Sequence, residues 1–128
     1  MSVRVLVVDD QLPFRVAAAS VVGLLDGFEV VGEAASAEDA LRDLDTLAPD
    51  LVLMDINLPG IDGVEATRRI TAHRPATVVV LVSTYRESEL PTGASTSGAV
   101  AYVHKEHLRA PLVEQLWADR DARVWRIA

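Results

Sequence analysis

Five short apolar runs punctuate the chain, at residues 3–8, 28–33, 50–54, 77–82 and 100–103. In the first and third, as in Leu51-Val52-Leu53-Met54, apolar residues follow one another without alternation, which is the pattern of a strand buried on both faces. Between the runs the spacing changes to helical. Pro13 fits a first helical turn, and Phe14, Ala17, Ala18, Val21, Leu24 and Leu25 keep one face until Asp26-Gly27 stops it. Ser36 with Asp39, and Asp62 with Glu65, are spaced as capping boxes ahead of the stripes Ala37, Ala40, Leu41, Leu44, Leu47 and Val64, Ala66, Ile70, Ala72; Pro49 and Pro75 close these two helices. Pro111 opens a last helix with Leu112, Val113, Leu116 and Trp117 turned inward.

Strand alternating with helix predicts an α/β fold, a doubly wound five-stranded parallel sheet covered by about five helices. The fourth helix, within residues 87–98, is expected to be short or irregular, because Pro91, Gly93 and Gly98 interrupt it. At 128 residues the chain is one domain in size, with 1–118 as the folded unit and 119–128 as a C-terminal tail. Val124-Trp125-Arg126-Ile127 in that tail alternates like a strand or an interface arm.

Composition removes several kinds of chemistry. With no cysteine there is no disulfide, thiolate nucleophile or cysteine-bound zinc. No apolar run nears the roughly 20 residues of a membrane helix, and the first 20 residues lack a signal peptide's pattern, so the expected location is the cytoplasm, with no membrane partner. A net charge of −7 opposes direct nucleic-acid binding; the one basic cluster, Arg120, Arg123 and Arg126, is diluted by Asp119 and Asp121 and reads as solvated. His104 and His107 lack further ligands nearby for zinc and read as surface residues.

The chemistry lies at the strand ends. Asp9 and Asp10 follow the first strand, Asp55 the third, Ser83 the fourth and Lys105 the fifth. In an open parallel sheet these ends meet beside a crevice at which ligands bind. Two carboxylates about 4 Å apart at an effective dielectric near 20 repel by roughly 4 kcal/mol, which a hard cation such as Mg²⁺ would relieve. Each acid taken singly has an ordinary explanation: Asp9 or Asp10 as a helix cap, Asp62 as the cap it most resembles. Ser83 could equally bond back to its own strand end, and a lone lysine is usually a solvated charge. Taken together, the set suits phosphoryl transfer to a carboxylate, where positioning and charge neutralisation do most of the catalysis.

Asp9-Asp10, Asp55 with Leu58-Pro59-Gly60-Ile61-Asp62-Gly63, Ser83-Thr84, and Ala99-Val100-Ala101-Tyr102-Val103-His104-Lys105 together resemble a two-component response regulator receiver domain of the CheY-like family, from about Val3 to Trp117. The resemblance implies the flavodoxin-like strand order 2-1-3-4-5. It also implies that Asp55 accepts a phosphoryl group from a sensor histidine kinase, with Mg²⁺ held by Asp10, Asp55 and the Asn57 carbonyl and assisted by Asp9. Lys105 and Ser83 would contact the phosphoryl oxygens, and Tyr102 would be the aromatic that follows Ser83; an ordinary strand aromatic explains Tyr102 equally well. Asn57 and Tyr85 occupy positions where the family tunes the access of hydrolytic water. Two departures stand out: Glu106 occupies the position where the family often has proline, and Pro91 and Gly93 fall in the helix that helps form the family's output face.

The function expected is therefore a phosphorelay switch rather than an enzyme, with Mg²⁺-dependent self-phosphorylation and self-dephosphorylation only. Its partners would be the kinase, an unknown downstream protein, and a second copy through the fourth helix, fifth strand and fifth helix. Three alternatives stand beside it: a phosphorylation-independent scaffold, the receiver fragment of a DNA-binding transcriptional regulator, and a Mg²⁺ phosphatase, for which no substrate-cap insertion is visible.

Overall fold

A computed structural model describes residues 2–122 and 124–128. In chain order the elements are β1 (Val3–Val8), α1 (Leu12–Gly23), β2 (Phe28–Ala34), α2 (Ala37–Leu47), β3 (Leu51–Asp55), α3 (Gly63–His73), β4 (Val78–Ser83), β5 (Ala101–His104), α4 (Ala110–Ala118) and β6 (Arg126–Ile127), with single 3₁₀ turns at Glu87–Glu89, Lys105–His107 and Arg120–Ala122. Every strand pair is parallel, in the order β2-β1-β3-β4-β5-β6.

Alternate residues of the central strands feed two separate cores. Leu6, Val8, Val52, Met54, Val79 and Leu81 pack with α2 and α3 through Ala37, Leu44, Val64 and Ile70. Val5, Val7, Leu51, Leu53, Val80 and Val82 pack on the opposite face with Ala18 and Val22 of α1 and Val113 and Leu116 of α4. This is why the runs show no polar alternation: both faces of the pleat are covered.

The helix starts obey the expected chemistry. Ser36 Oγ accepts the Asp39 N–H at 3.1 Å, and Asp62 Oδ1 accepts the Glu65 N–H at 2.8 Å. Strand boundaries lie one residue beyond the expected ends at β3, β4 and β5, so Asp55 and Ser83 are the last paired residues of their strands.

Three expectations are corrected. The sheet has six strands, because residues 126–127 of the segment expected as a tail pair with β5, Ala101 opposite Arg126 and Tyr102 opposite Ile127. Arg123 of the basic cluster lies outside the described residues. The expected fourth helix is absent among the described residues, leaving four α-helices, and only the Glu87–Glu89 turn forms in its place. Pro91 supplies no N–H, Gly93 and Gly98 sit at φ +91° and +103°, and the Ser97 and Thr96 hydroxyls donate to the Ala94 and Gly93 carbonyls, so local turns take up backbone groups that a helix would have paired. Finally, α1 ends at Gly23, and Leu24, expected on the buried stripe, is 77% exposed.

Gly63 shows what the turn after β3 demands. Its N–H donates to the Ile56 carbonyl at 3.0 Å, and a Cβ there would collide with the backbone carbonyl of Asp55. The first turn of α3 thus rests directly against the strand that ends in Asp55. Gly63→Ala is expected to destabilise the protein by about 3 kcal/mol, because no side chain can give way; a urea midpoint within error of the parent would refute this reading.

Candidate functional site

The strand ends converge as the topology requires. Val8 lies opposite Met54 in the β1–β3 pair, Asp55 opposite Val82 in β3–β4, and Ser83 opposite His104 in β4–β5, so each polar residue stands at or just past the end of a paired register. Ligand oxygens of Asp9, Asp10 and Asp55 all lie within 4.8 Å of one another. Asp9 and Asp55 are buried and Asp10 is exposed. Asp10 and Asp55 open onto a cleft of about 480 Å³ lined also by Gln11, Pro13, Phe14, Asn57, Thr84 and Lys105, with Asp9 buried behind it.

Asp9 is not a helix cap. The N-cap of α1 is Gln11, which makes no side-chain cap bond, while Asp9 Oδ1 accepts the Gln11 N–H at 2.8 Å and turns the chain toward the site. Its other oxygen, Oδ2, is buried and has no hydrogen-bonded donor; Lys105 Nζ stands 2.7 Å away as an ion pair, off the angle of a hydrogen bond. Lys105 Nζ is also 3.7 Å from Asp55 Oδ2.

One ammonium therefore faces two buried carboxylates. Burial pushes the Asp55 carboxyl up, the Asp9 charge pushes it further, and Lys105 and the Asn57 N–H offset only part of this, so it titrates at about 6. The donor set fits Mg²⁺. It consists of hard carboxylate oxygens without thiolate or imidazole, one oxygen lacking a hydrogen-bond donor, and an excess of negative charge beside a solvent-open cleft.

Ser83 is buried at the end of β4, and its oxygen accepts the Tyr85 N–H at 2.9 Å. The Tyr102 hydroxyl lies 2.6 Å from the Tyr85 carbonyl, 3.0 Å from the Ser83 carbonyl and 3.0 Å from Ser83 Oγ. It carries one hydrogen, and the shortest contact assigns that hydrogen to Tyr85; the Ser83 hydroxyl then donates to the Tyr102 oxygen. In this arrangement both polar positions of Ser83 are engaged on the Tyr102 side. Tyr102 itself is buried, burial being the first cause that raises its phenol above the ordinary range.

Asn57, two residues after Asp55, donates its N–H to Asp55 Oδ1 at 3.2 Å and accepts the Tyr85 hydroxyl on its side-chain oxygen at 2.7 Å. The two positions singled out by resemblance thus touch across the cleft. Sequence reasoning missed three supporting residues. Phe14 presents its ring to Lys105 Nζ, 4.6 Å from the centroid, and holds the ammonium at the mouth of the cleft. Arg15 Nη1 donates to the Asp9 carbonyl at 2.7 Å while its Nε meets Glu33 Oε1 at 3.3 Å, tying the acidic turn to β2. Glu38 Oε1 accepts the Ile61 N–H at 2.9 Å and so holds the β3–α3 loop. Phe14 was visible only as a core residue, and nothing in the spacing of Arg15 or Glu38 announced a partner about twenty residues away.

A doubly wound parallel sheet with an acidic cluster and one lysine at its switch point is the architecture of receiver-type signalling modules. The chain belongs to the response regulator receiver domain family, whose model matches residues 5–116. It is 40% identical over 114 residues to Response regulator GacA of Pseudomonas viridiflava, covering 89% of this chain and 53% of that protein. Thus the chain spans about half the length of that relative. Among solved structures it is similar to a LuxR-family two-component response regulator from Aurantimonas sp. SI85-9A1, with a TM-score of 0.85 and 33% identity, covering 98% of this chain and 89% of that one. A DNA-binding LuxR-family response regulator from Staphylococcus aureus superposes with a TM-score of 0.80 at 26% identity, covering 91% of this chain and 97% of that one.

The raised Asp55 carboxyl has a thermodynamic consequence. Its folded-state titration lies above that of the unfolded chain, so the folded state holds an extra proton between about pH 4 and 6, and stability falls as pH rises through that window. Without divalent cation, Asp55→Asn is expected to be more stable than the parent by about 3 kcal/mol near pH 8, an advantage that falls away toward pH 4. Equal denaturation midpoints at both pH values would show that Asp55 carries no such strain.

Proposed function

We propose that Asp55 is the phosphoacceptor of this receiver domain, taking a phosphoryl group from the phosphohistidine of a sensor histidine kinase. The observation that carries this reading is the pair of buried carboxylates, Asp9 and Asp55, sharing Lys105 at the mouth of an open cleft. An Asp55 oxygen attacks phosphorus, the P–O bond forms as the P–N bond to imidazole breaks, and the imidazole leaves and takes up a proton. An ionised carboxylate is already a nucleophile, so no general base is required.

Asp10, Asp55 and the Asn57 carbonyl would hold Mg²⁺, with Asp9 assisting. When bound, the ion supplies neutralisation of charge on the transferring phosphoryl oxygens. Lys105, 3.7 Å from Asp55, is placed to meet one of those oxygens, and the Ser83 hydroxyl to donate to another once it turns away from Tyr102. Tyr102 would follow Ser83 as the switch residue. The Tyr85–Asn57 hydrogen bond crosses the approach to Asp55 and would slow the entry of hydrolytic water.

In this reading the chain is a signalling protein whose only chemistry is its own phosphorylation and dephosphorylation. No helix among the described residues is long and apolar enough to cross a membrane; the location belonging to this proposal is the cytoplasm, where a kinase phosphohistidine would be met. Residues 1–118 are taken as the receiver unit. The downstream contact would be another protein or a second copy, and direct nucleic-acid binding is not assigned to this acidic chain. A second reading, the receiver portion of a DNA-binding transcriptional regulator, is favoured by its likeness to LuxR-family regulators and by its match to about half of GacA.

Acetyl phosphate with Mg²⁺ is expected to add one phosphoryl mass to the protein, and Asp55→Asn to remove that gain. Lys105→Ala should leave Mg²⁺ binding in place while slowing phosphorylation by about 100-fold, the scale on which loss of one stabilising donor acts. No mass gain, or a gain that survives Asp55→Asn, would sink the assignment.

A further inference from the structure

The irregular segment after β4 leaves part of the sheet without helical cover, and Trp125 packs into that gap while Val124 and Ile127 of the same segment stay exposed. The alternation there is complete. Trp125 packs on the core that contains Tyr102 and Ala94, Arg126 turns to the opposite face and meets Asp119 Oδ2 at 3.1 Å, Ile127 returns toward Tyr85 and Tyr102, and Ala128 packs on the second core. The β5–β6 ladder pairs Ala101 with Arg126 and Tyr102 with Ile127, and at its two ends the Arg126 N–H donates to the Val100 carbonyl at 3.2 Å and the Ala128 N–H to the Tyr102 carbonyl at 2.9 Å. A two-residue edge strand belongs to the low end of local stabilities.

Tyr102 is thus shared between two sites. Its carbonyl anchors β6, while its hydroxyl is locked to Ser83 and Tyr85 at the edge of the cleft that holds Asp55. The arrangement that binds β6 is one in which the Ser83 hydroxyl donates to Tyr102. A phosphoryl oxygen on Asp55 requires that same hydroxyl, and it has only one hydrogen to give. Moving it removes a hydrogen bond from Tyr102 and alters the one that holds the Tyr85 N–H, and Tyr102 is the residue that pairs with Ile127 and accepts the Ala128 N–H.

We propose that residues 124–128 form a detachable strap, which closes the open edge of β5 while Ser83 is bonded to Tyr102 and leaves it when a phosphoryl group on Asp55 claims the Ser83 hydroxyl. This rests on the phosphoacceptor reading above. By thermodynamic linkage the strap also opposes phosphorylation, by the same factor as phosphorylation opposes the strap. Release uncovers the backbone edge of β5 and the groove beneath Trp125, so the surface that signals is one the resting chain occupies itself.

The test is amide hydrogen exchange at Arg126 and Ala128 by NMR on the full 128-residue chain, in Mg²⁺ alone and in Mg²⁺ with beryllofluoride, with fluorine NMR reporting bound beryllofluoride. Both amides are expected to be protected in Mg²⁺ alone and to exchange about tenfold faster with the phosphoryl mimic bound. Tyr102→Phe should keep the resting protection and lose the response. Trp125→Ala should raise exchange without the mimic and tighten beryllofluoride binding by about fivefold. Unprotected amides in the resting chain overturn the strap itself. Bound beryllofluoride with unchanged exchange overturns the coupling alone, and no bound beryllofluoride overturns the phosphoacceptor reading and the coupling with it.

Discussion

Two buried carboxylates and one ammonium at the end of a parallel sheet form the constraint on which the rest of this molecule turns. Lys105 lies 2.7 Å from Asp9 and 3.7 Å from Asp55, and it cannot neutralise both. Burial first, and the uncompensated charge of Asp9 second, push the Asp55 carboxyl up to about 6. A fold optimised only for stability would remove one of these acids, since a buried charge without full compensation is destabilising. Their retention leaves an excess of negative charge that an added cation would relieve.

The scaffold makes this strain tolerable by being rigid where the charges sit. β1, β3, β4 and β5 are covered on both faces, so the strand ends are placed by two separate cores rather than by loops. Local devices then fix the loops themselves: the Asp9–Gln11 turn, Arg15 on the Asp9 carbonyl, Glu38 on the Ile61 N–H, and Gly63 where α3 meets β3. Arg15 and Glu38 also reach across longer sequence separations, joining α1 to Glu33 of β2 and α2 to the loop that follows Asp55. Under the proposed phosphorylation of Asp55, pre-organisation of this kind would limit what has to move to a few side chains, chiefly Ser83 and its hydrogen-bonded neighbours.

Those neighbours lead to the part of the fold where regular structure was given up. With Pro91 and two positive-φ glycines in the 87–98 segment, no helix covers the sheet beside β5, and Trp125 and β6 occupy the space instead. A two-residue strand is a weaker cover than a helix. In a switch this is an asset, because a surface that must change state is best built from an element whose stability is small compared with the fold's.

Much of this was legible before any coordinates. Continuous apolar runs dictate strands buried on both faces, capping residues dictate the starts of α2 and α3, and Asp9, Asp10, Asp55, Ser83 and Lys105 are recognisable because each ends a strand. Strand-end position is a local property, and a parallel sheet brings such ends together whatever the details. Three features depend on contacts between distant segments, and only the tertiary structure decided them. Val124 to Ile127 alternates in a way that suits a strand, an arm or a free tail, and pairing with β5 became the outcome because the open groove accepts Trp125. Ser83 read from sequence could bond back to its own strand end or meet a phosphoryl oxygen, and in the folded chain its hydroxyl instead meets that of Tyr102, nineteen residues on. Arg15, Glu38 and Phe14 look like ordinary helix residues until folding brings them against Glu33, Ile61 and Lys105. Hydrophobic period and caps are written residue by residue, whereas the occupancy of a groove and the direction of a hydroxyl are settled by what else arrives there.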